Sequence, residues 1–129
     1  MKPTDKTDIV CINKVLKYIA LIRKAYSNFN IKTLDDLEAN DICQLAITQA
    51  ITNIYEVKKK IRADALSRVP SFDKILLKAA RNIASHDYDS LDFEIIYKRT
   101  LQLLKPEVSE ELEAAKHDFQ QYTSSNSQS

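Results

Sequence analysis

The chain contains no glycine, and only Pro3, Pro70 and Pro106 among its 129 residues are prolines. Tight hairpins and phosphate-cradling loops rely on glycine for backbone conformations of positive φ. Its absence argues against a β-rich fold, a P-loop and a glycine-rich dinucleotide-binding turn. No uncharged apolar run approaches the length needed to cross a bilayer. The N-terminal Met1-Lys-Pro-Thr-Asp lacks the apolar centre of a signal peptide, so a cytoplasmic location is expected. Cysteine is scarce too: Cys11 and Cys43 lie inside apolar helical patterns and read as buried thiols of a reducing compartment. Two cysteines and two distant histidines do not make a zinc site, and no metal or cofactor is expected.

What remains is ordinary for a small globular domain, with 44% hydrophobic and 29% charged residues. The length fits a single domain with one modest core. The net charge of +1 conceals an asymmetry. Residues 57–81 carry eight lysines and arginines against two aspartates, whereas residues 106–129 carry one lysine against five carboxylates. A basic middle beside an acidic end suits an anionic partner at the middle.

Apolar residues recur every three or four positions through most of the chain, which predicts an all-α fold, an antiparallel helical bundle of four to five helices. Helix one is expected over 8–29, capped by Thr7 or Asp8, with Ile9, Ile12, Leu16, Ile19, Ile22, Tyr26 and Phe29 inward. A connector follows, with a short turn at Thr33-Leu-Asp-Asp-Leu. Helix two starts near Asp41, with Ile42, Leu45, Ala46, Gln49, Ile54, Val57 and Ile61 as its stripe. Residues 64–69 form a loop or short helix. Ser71 then caps helix three, which carries Phe72, Ile75, Leu76, Ala79, Ala80 and Ile83 inward as far as His86. Helix four spans about 91–104, with Phe93, Ile96, Tyr97, Thr100, Leu101 and Leu104 inward, and Pro106 stops it. A last helix, entered near Ser109, ends at about Tyr122. One domain therefore covers 1–122, and 123–129 is a polar tail expected to be disordered.

The chemistry is concentrated in Arg81-Asn-Ile-Ala-Ser-His86-Asp-Tyr88. Histidine exchanges a proton near neutral pH, and arginine holds a fixed charge that grips phosphate oxygens in a fork. Metal-free RNA cleavage needs one group to move a proton and another to stabilise charge on phosphorus, because RNA supplies its own 2′-hydroxyl nucleophile. Five residues of ideal helix turn about 500°, leaving the two side chains about 140° apart. They converge if the helix ends or distorts near His86, or if a second protomer completes the site. The bland alternative is a surface ion pair and a helix-terminal histidine.

This segment resembles the R-x4-H-x-Y motif of the HepT-like branch of the HEPN superfamily, including the polar Asn82 after the arginine. Residues 88–97 resemble that family's run into its next helix, and residues 49–58 its second long helix. The resemblance covers about residues 8–105. It implies a HEPN-like bundle that forms a homodimer around a shared cleft and a metal-independent endoribonuclease with Arg81 and His86 as catalytic residues and Asn82 in support. It also implies the toxin of a toxin–antitoxin pair. The partner is then a minimal nucleotidyltransferase antitoxin that neutralises the toxin by adding AMP to the motif tyrosine, here Tyr88. Lys58, Lys59, Lys60 and Arg62 are candidate RNA contacts by charge, with a solvated helix end as the other reading of the run. Asp87 places a carboxylate beside His86, able to orient it or raise its pKa, or to repel RNA. Tyr18, Tyr26, Tyr55 and Tyr97 sit at helical spacing and read as core or dimer interface. Two other readings of the same residues stay open: a catalytically silent HEPN binding or adaptor module, and a helical interaction protein.

Overall fold

The computed structural model describes residues 3–85 and 93–127, with side chains for residues 6–82 and 93–118. All of its regular structure is helical: α1 (Pro3–Asn28), α2 (Leu34–Glu38), α3 (Asp41–Lys58), α4 (Ala63–Leu66), α5 (Pro70–Asp73), α6 (Lys78–Ser85), α7 (Phe93–Leu103) and α8 (Pro106–Ser127). The long helix α1 lies against α3 and α8; α6 and α7 close over α3, and α5 docks on α8.

The core follows from periodicity. Ile12, Val15, Ile19, Ile22 and Tyr26 of α1 are buried at helical spacing against Ile47, Ile51 and Ile54 of α3 and Leu112 of α8. The end of α1 shows how a chain without glycine stops a helix. Asn30 takes a left-handed φ of 55°. Ile31 N–H donates to Tyr26 O (2.9 Å) and Asn30 N–H to Ser27 O (3.3 Å), a Schellman cap in which asparagine holds glycine's usual place. The short turn at Thr33 is a full capping box: Thr33 Oγ1 accepts from Asp36 N–H and the Asp36 carboxylate accepts from Thr33 N–H. Asn40 Oδ1 then accepts from Cys43 N–H at 2.8 Å and starts α3.

Several sequence expectations are corrected. Helix α1 begins at Pro3, so Asp8 is interior rather than a cap; its buried carboxylate accepts from Arg62 N–H and Arg62 Nε, both at 3.2 Å. In the first half of α3 the buried stripe is Cys43, Ile47, Ala50 and Ile51, whereas Ile42 (67% exposed), Leu45 (54%), Ala46 and Gln49 face outward. Both stripes have helical period, and the one that meets α1 and α7 is buried. Phe29 and Leu101 are also exposed, and Leu103 takes the inward position on α7. Pro106 opens α8 as well as following α7, because its missing N–H is not needed in a first turn. That helix continues to Ser127, beyond the expected end at Tyr122.

The largest departure is helix three. Ser71 does not cap it: α5 starts at Pro70 and lasts four residues, and residues 75–77 leave helical structure before α6 begins at Lys78. Ser71 N–H and Oγ instead donate to the two oxygens of Glu111 on α8, at 2.9 and 2.5 Å. These bonds, hydroxyl first, hold the Glu111 carboxyl below its ordinary pKa. A carboxyl depressed on folding adds stability above its unfolded pKa and loses it as pH falls through the folded value. Glu111→Gln is therefore expected to lower the thermal midpoint at neutral pH, and the gap to wild type should close below about pH 4. Calorimetry across that range checks this; a gap independent of pH contradicts it.

Candidate active site

The site is built on the break between α5 and α6. Ile75 and Leu77 are buried while Leu76 between them is 70% exposed, the alternation of extended chain. Running the helix through this segment would separate Ile75 from Leu77 by about 200° and bury only one of them. The backbone carbonyls at the break are met from neighbouring helices. Lys58 Nζ, at the end of α3, donates to Asp73 O (2.8 Å) and Ile75 O (3.0 Å), and Arg99 Nε of α7 donates to Leu76 O (2.9 Å). Lys58 Nζ also lies 5.3 Å from the centre of the Phe72 ring. Burial pulls this ammonium below its ordinary pKa, an effect that Asp73 partly offsets. Helix α6 then starts afresh, with Arg81 N–H on Leu77 O at 2.9 Å.

That restart places Lys78, Arg81 and Asn82 together on one face, three and four residues apart. The Arg81 side chain is 29% exposed and rests against α3. Its Cζ stands 4.7 Å from the centre of the Tyr55 ring, and its Nη2 is 3.5 Å from Glu56 Oε1. Its Nη1 donates to Asn82 Oδ1 at 3.2 Å, so the two neighbouring side chains orient one another. Lys59, the C-cap that follows α3, joins them: its Nζ is 3.0 Å from Glu56 Oε2 and 5.0 Å from the centre of the same tyrosine ring. The hydrogen bond from Lys59, with the charges of Lys59, Arg81 and Lys60, keeps Glu56 below its ordinary pKa and hence ionised at neutral pH. Two cations thus share one carboxylate and one aromatic ring. A phosphate with two charge-assisted acceptors would compete with Glu56 for both.

Of the candidate RNA contacts, Lys59 and Lys60 are exposed. Lys58 is turned onto the Asp73 and Ile75 carbonyls, and Arg62 binds Asp8 and Asp64 (Nη2–Oδ2 3.1 Å). The structure therefore brings Arg81, Asn82 and Lys59 together and engages Lys58 and Arg62 in holding the fold. His86, Asp87 and Tyr88 lie outside the described residues. Tyr26 is buried, its hydroxyl 2.6 Å from Thr100 Oγ1 and its ring tilted against Tyr97. His117 is exposed on α8.

Sequence reasoning missed Tyr55, Glu56 and Lys78. Lys78 was legible from its spacing to Arg81 and Asn82. Tyr55 and Glu56 needed the crossing of α3 and α6, which no local pattern encodes. Beside them a groove of about 360 Å³ opens between α3 and the break, lined by Tyr55, Lys58, Lys59, Leu66, Leu76 and Lys78 over Ile61, Ile75 and Leu77. A second groove of about 430 Å³ runs between α1 and α3, past Leu21, Phe29 and Ala46 to Asn53. No protein-family model matches the chain, and no curated protein and no solved structure matches it.

The different work of neighbouring lysines is open to measurement. Lys58→Met removes the donor to two carbonyls and should cost about 1–3 kcal/mol in urea unfolding. Lys59→Met, at an exposed ion pair, should cost less than about 0.5 kcal/mol. Equal losses would contradict the bracing role of Lys58.

Proposed function

We propose that this chain is a metal-independent endoribonuclease of the HepT-like HEPN type. It acts in the cytoplasm as a homodimer, as the toxin of a toxin–antitoxin pair. The observation that carries the proposal is the Arg81–Asn82 pair. It is held by Tyr55 and Glu56 at the edge of a lysine-lined groove, on the helix that leads into His86-Asp-Tyr88. An arginine fixed in this way is pre-organised for a phosphate that carries developing charge.

In the proposed reaction a backbone phosphate of RNA displaces Glu56 and takes the fork of Arg81, with Asn82 fixing the geometry. The 2′-oxygen attacks phosphorus, the bond to the 5′-oxygen breaks, and a 2′,3′-cyclic phosphate and a free 5′-hydroxyl result. His86 moves one proton, taking it from the 2′-hydroxyl or giving it to the departing oxygen, and water exchanges the other. The partner nucleotidyltransferase adds AMP to Tyr88. A bulky anion two residues from His86 then blocks and repels the incoming phosphate. Exposed Leu21 of α1, Phe29 just beyond its end, and Ile42 and Leu45 of α3 give a second copy apolar surface to cover. The same surface supports the second reading, a HEPN-type binding or adaptor module, or a helical interaction protein, that works without cleavage.

Wild type, Arg81→Gln and His86→Ala are to be compared on total RNA in EDTA and in growth under tight induction. Wild type should cut RNA and arrest growth, while each substitution lowers cleavage by about 100-fold or more. If folded wild type neither cuts RNA nor arrests growth, the binding reading replaces cleavage.

A further inference from the structure

The groove beside Arg81 has a composition that cleavage by Arg81 and His86 does not require. At about 360 Å³ it is the size of a small-ligand site, which runs from ~300 to 1,000 Å³. Its floor is apolar, made by buried Ile61, Ile75 and Leu77. Of its other apolar lining residues, Leu66 is half-buried and Leu76 stands out into solvent. Its charged lining is Lys58, Lys59 and Lys78, and no carboxylate is among the lining residues. With Lys58 turned to backbone carbonyls, Lys59 and Lys78 are the ammoniums at its exposed edge. Tyr55 is a wall common to the groove and to the Arg81 site, and Lys78 stands one helical turn before Arg81.

We infer that this groove is a nucleotide subsite that receives one unpaired base of the RNA strand whose phosphate lies on Arg81; this rests on the ribonuclease reading above. The occupant follows from charge and shape together. Lys78 at the edge, and Lys59, which an incoming phosphate would draw from its 3.0 Å pairing with Glu56, call for an anion, and the apolar floor calls for a flat, weakly hydrated body attached to it. A nucleotide in a single strand offers both, a phosphate for Lys59 or Lys78 and a base face for Leu66 and Leu76. A duplex keeps its base faces stacked and presents only edges, sugars and phosphates. It would use the lysines and gain nothing from the leucines. The break at 75–77 acquires a second consequence here, because the extended chain that aims α6 also turns Leu76 outward where it lines the groove.

The test uses the full-length protein and a short 2′-O-methyl RNA strand, which lacks the nucleophile and stays intact whether or not the protein is a nuclease. Binding by fluorescence anisotropy at fixed salt is compared for this strand alone and for the same strand in a duplex. The free strand should bind about tenfold more tightly, and Leu76→Ser should weaken it about tenfold while leaving duplex binding unchanged. Lys78→Glu should weaken both. Both positions are exposed, so neither substitution disturbs the core. Equal affinity for strand and duplex, or Leu76→Ser without effect, overturns the subsite and leaves a basic patch; if wild type nonetheless cuts unmodified RNA, the cleavage reading stands without it. Leu76-dependent strand binding by a protein that leaves unmodified RNA uncut supports the groove as a single-strand site and removes the cleavage reading.

Discussion

The ammonium of Lys58 holds the junction on which the candidate site depends. A helix that breaks inside a protein leaves backbone carbonyls in need of donors. At the α5–α6 junction those donors come from Lys58 on α3 and Arg99 on α7. These are charge-assisted bonds to neutral oxygens, and those of Lys58 form where burial already penalises the cation. Because the break is held from two sides, α6 leaves it in a fixed direction, and Arg81 comes to rest on Tyr55 and Glu56. Without the break, one continuous helix would carry Arg81 on a different azimuth from the one observed.

The break is also where reading from sequence stops. Phe72, Ile75, Leu76, Ala79, Ala80 and Ile83 satisfy a helical period, and nothing local argues against it. A proline at 70 and a serine at 71 even look like a helix start. The information that overrides them sits at positions 58, 99 and 111, far along the chain and close in space. Helix α3 gives a related lesson. It is apolar on two faces, so periodicity establishes a helix without choosing the buried face, and Ile42 and Leu45 end outside. By contrast Ile12, Ile19, Ile22 and Tyr26 of α1 and the inward Phe93, Ile96 and Thr100 of α7 are where their spacing puts them. Arg81 and Asn82 were legible because residue type and adjacency carry their chemistry. Their α3 partners were not, since a platform is a property of two helices crossing.

Charge shows the same division. Residues 57–81 read as one basic stretch, yet its members do unlike things. Lys58 braces backbone, Arg62 neutralises the buried Asp8, Lys59 and Arg81 share Glu56, and Lys60 and Lys78 face solvent. A uniform electrostatic surface would attract any polyanion. Fixing some cations and leaving others at the rim of one groove concentrates the attraction beside Tyr55. The carboxylate of Glu56, held ionised by those same cations, keeps Arg81 oriented in the free protein and is the group a phosphate would have to displace.

Placement of RNA on this face is tested most directly by photocrosslinking. The full-length protein would be irradiated with a 2′-O-methyl strand carrying 4-thiouridine, and the adducts mapped by mass spectrometry. Engagement at the Arg81 site predicts adducts at Tyr55 and within residues 76–82. Adducts confined to α8 or to the groove between α1 and α3, with residues 55 and 76–82 unlabelled, would contradict it.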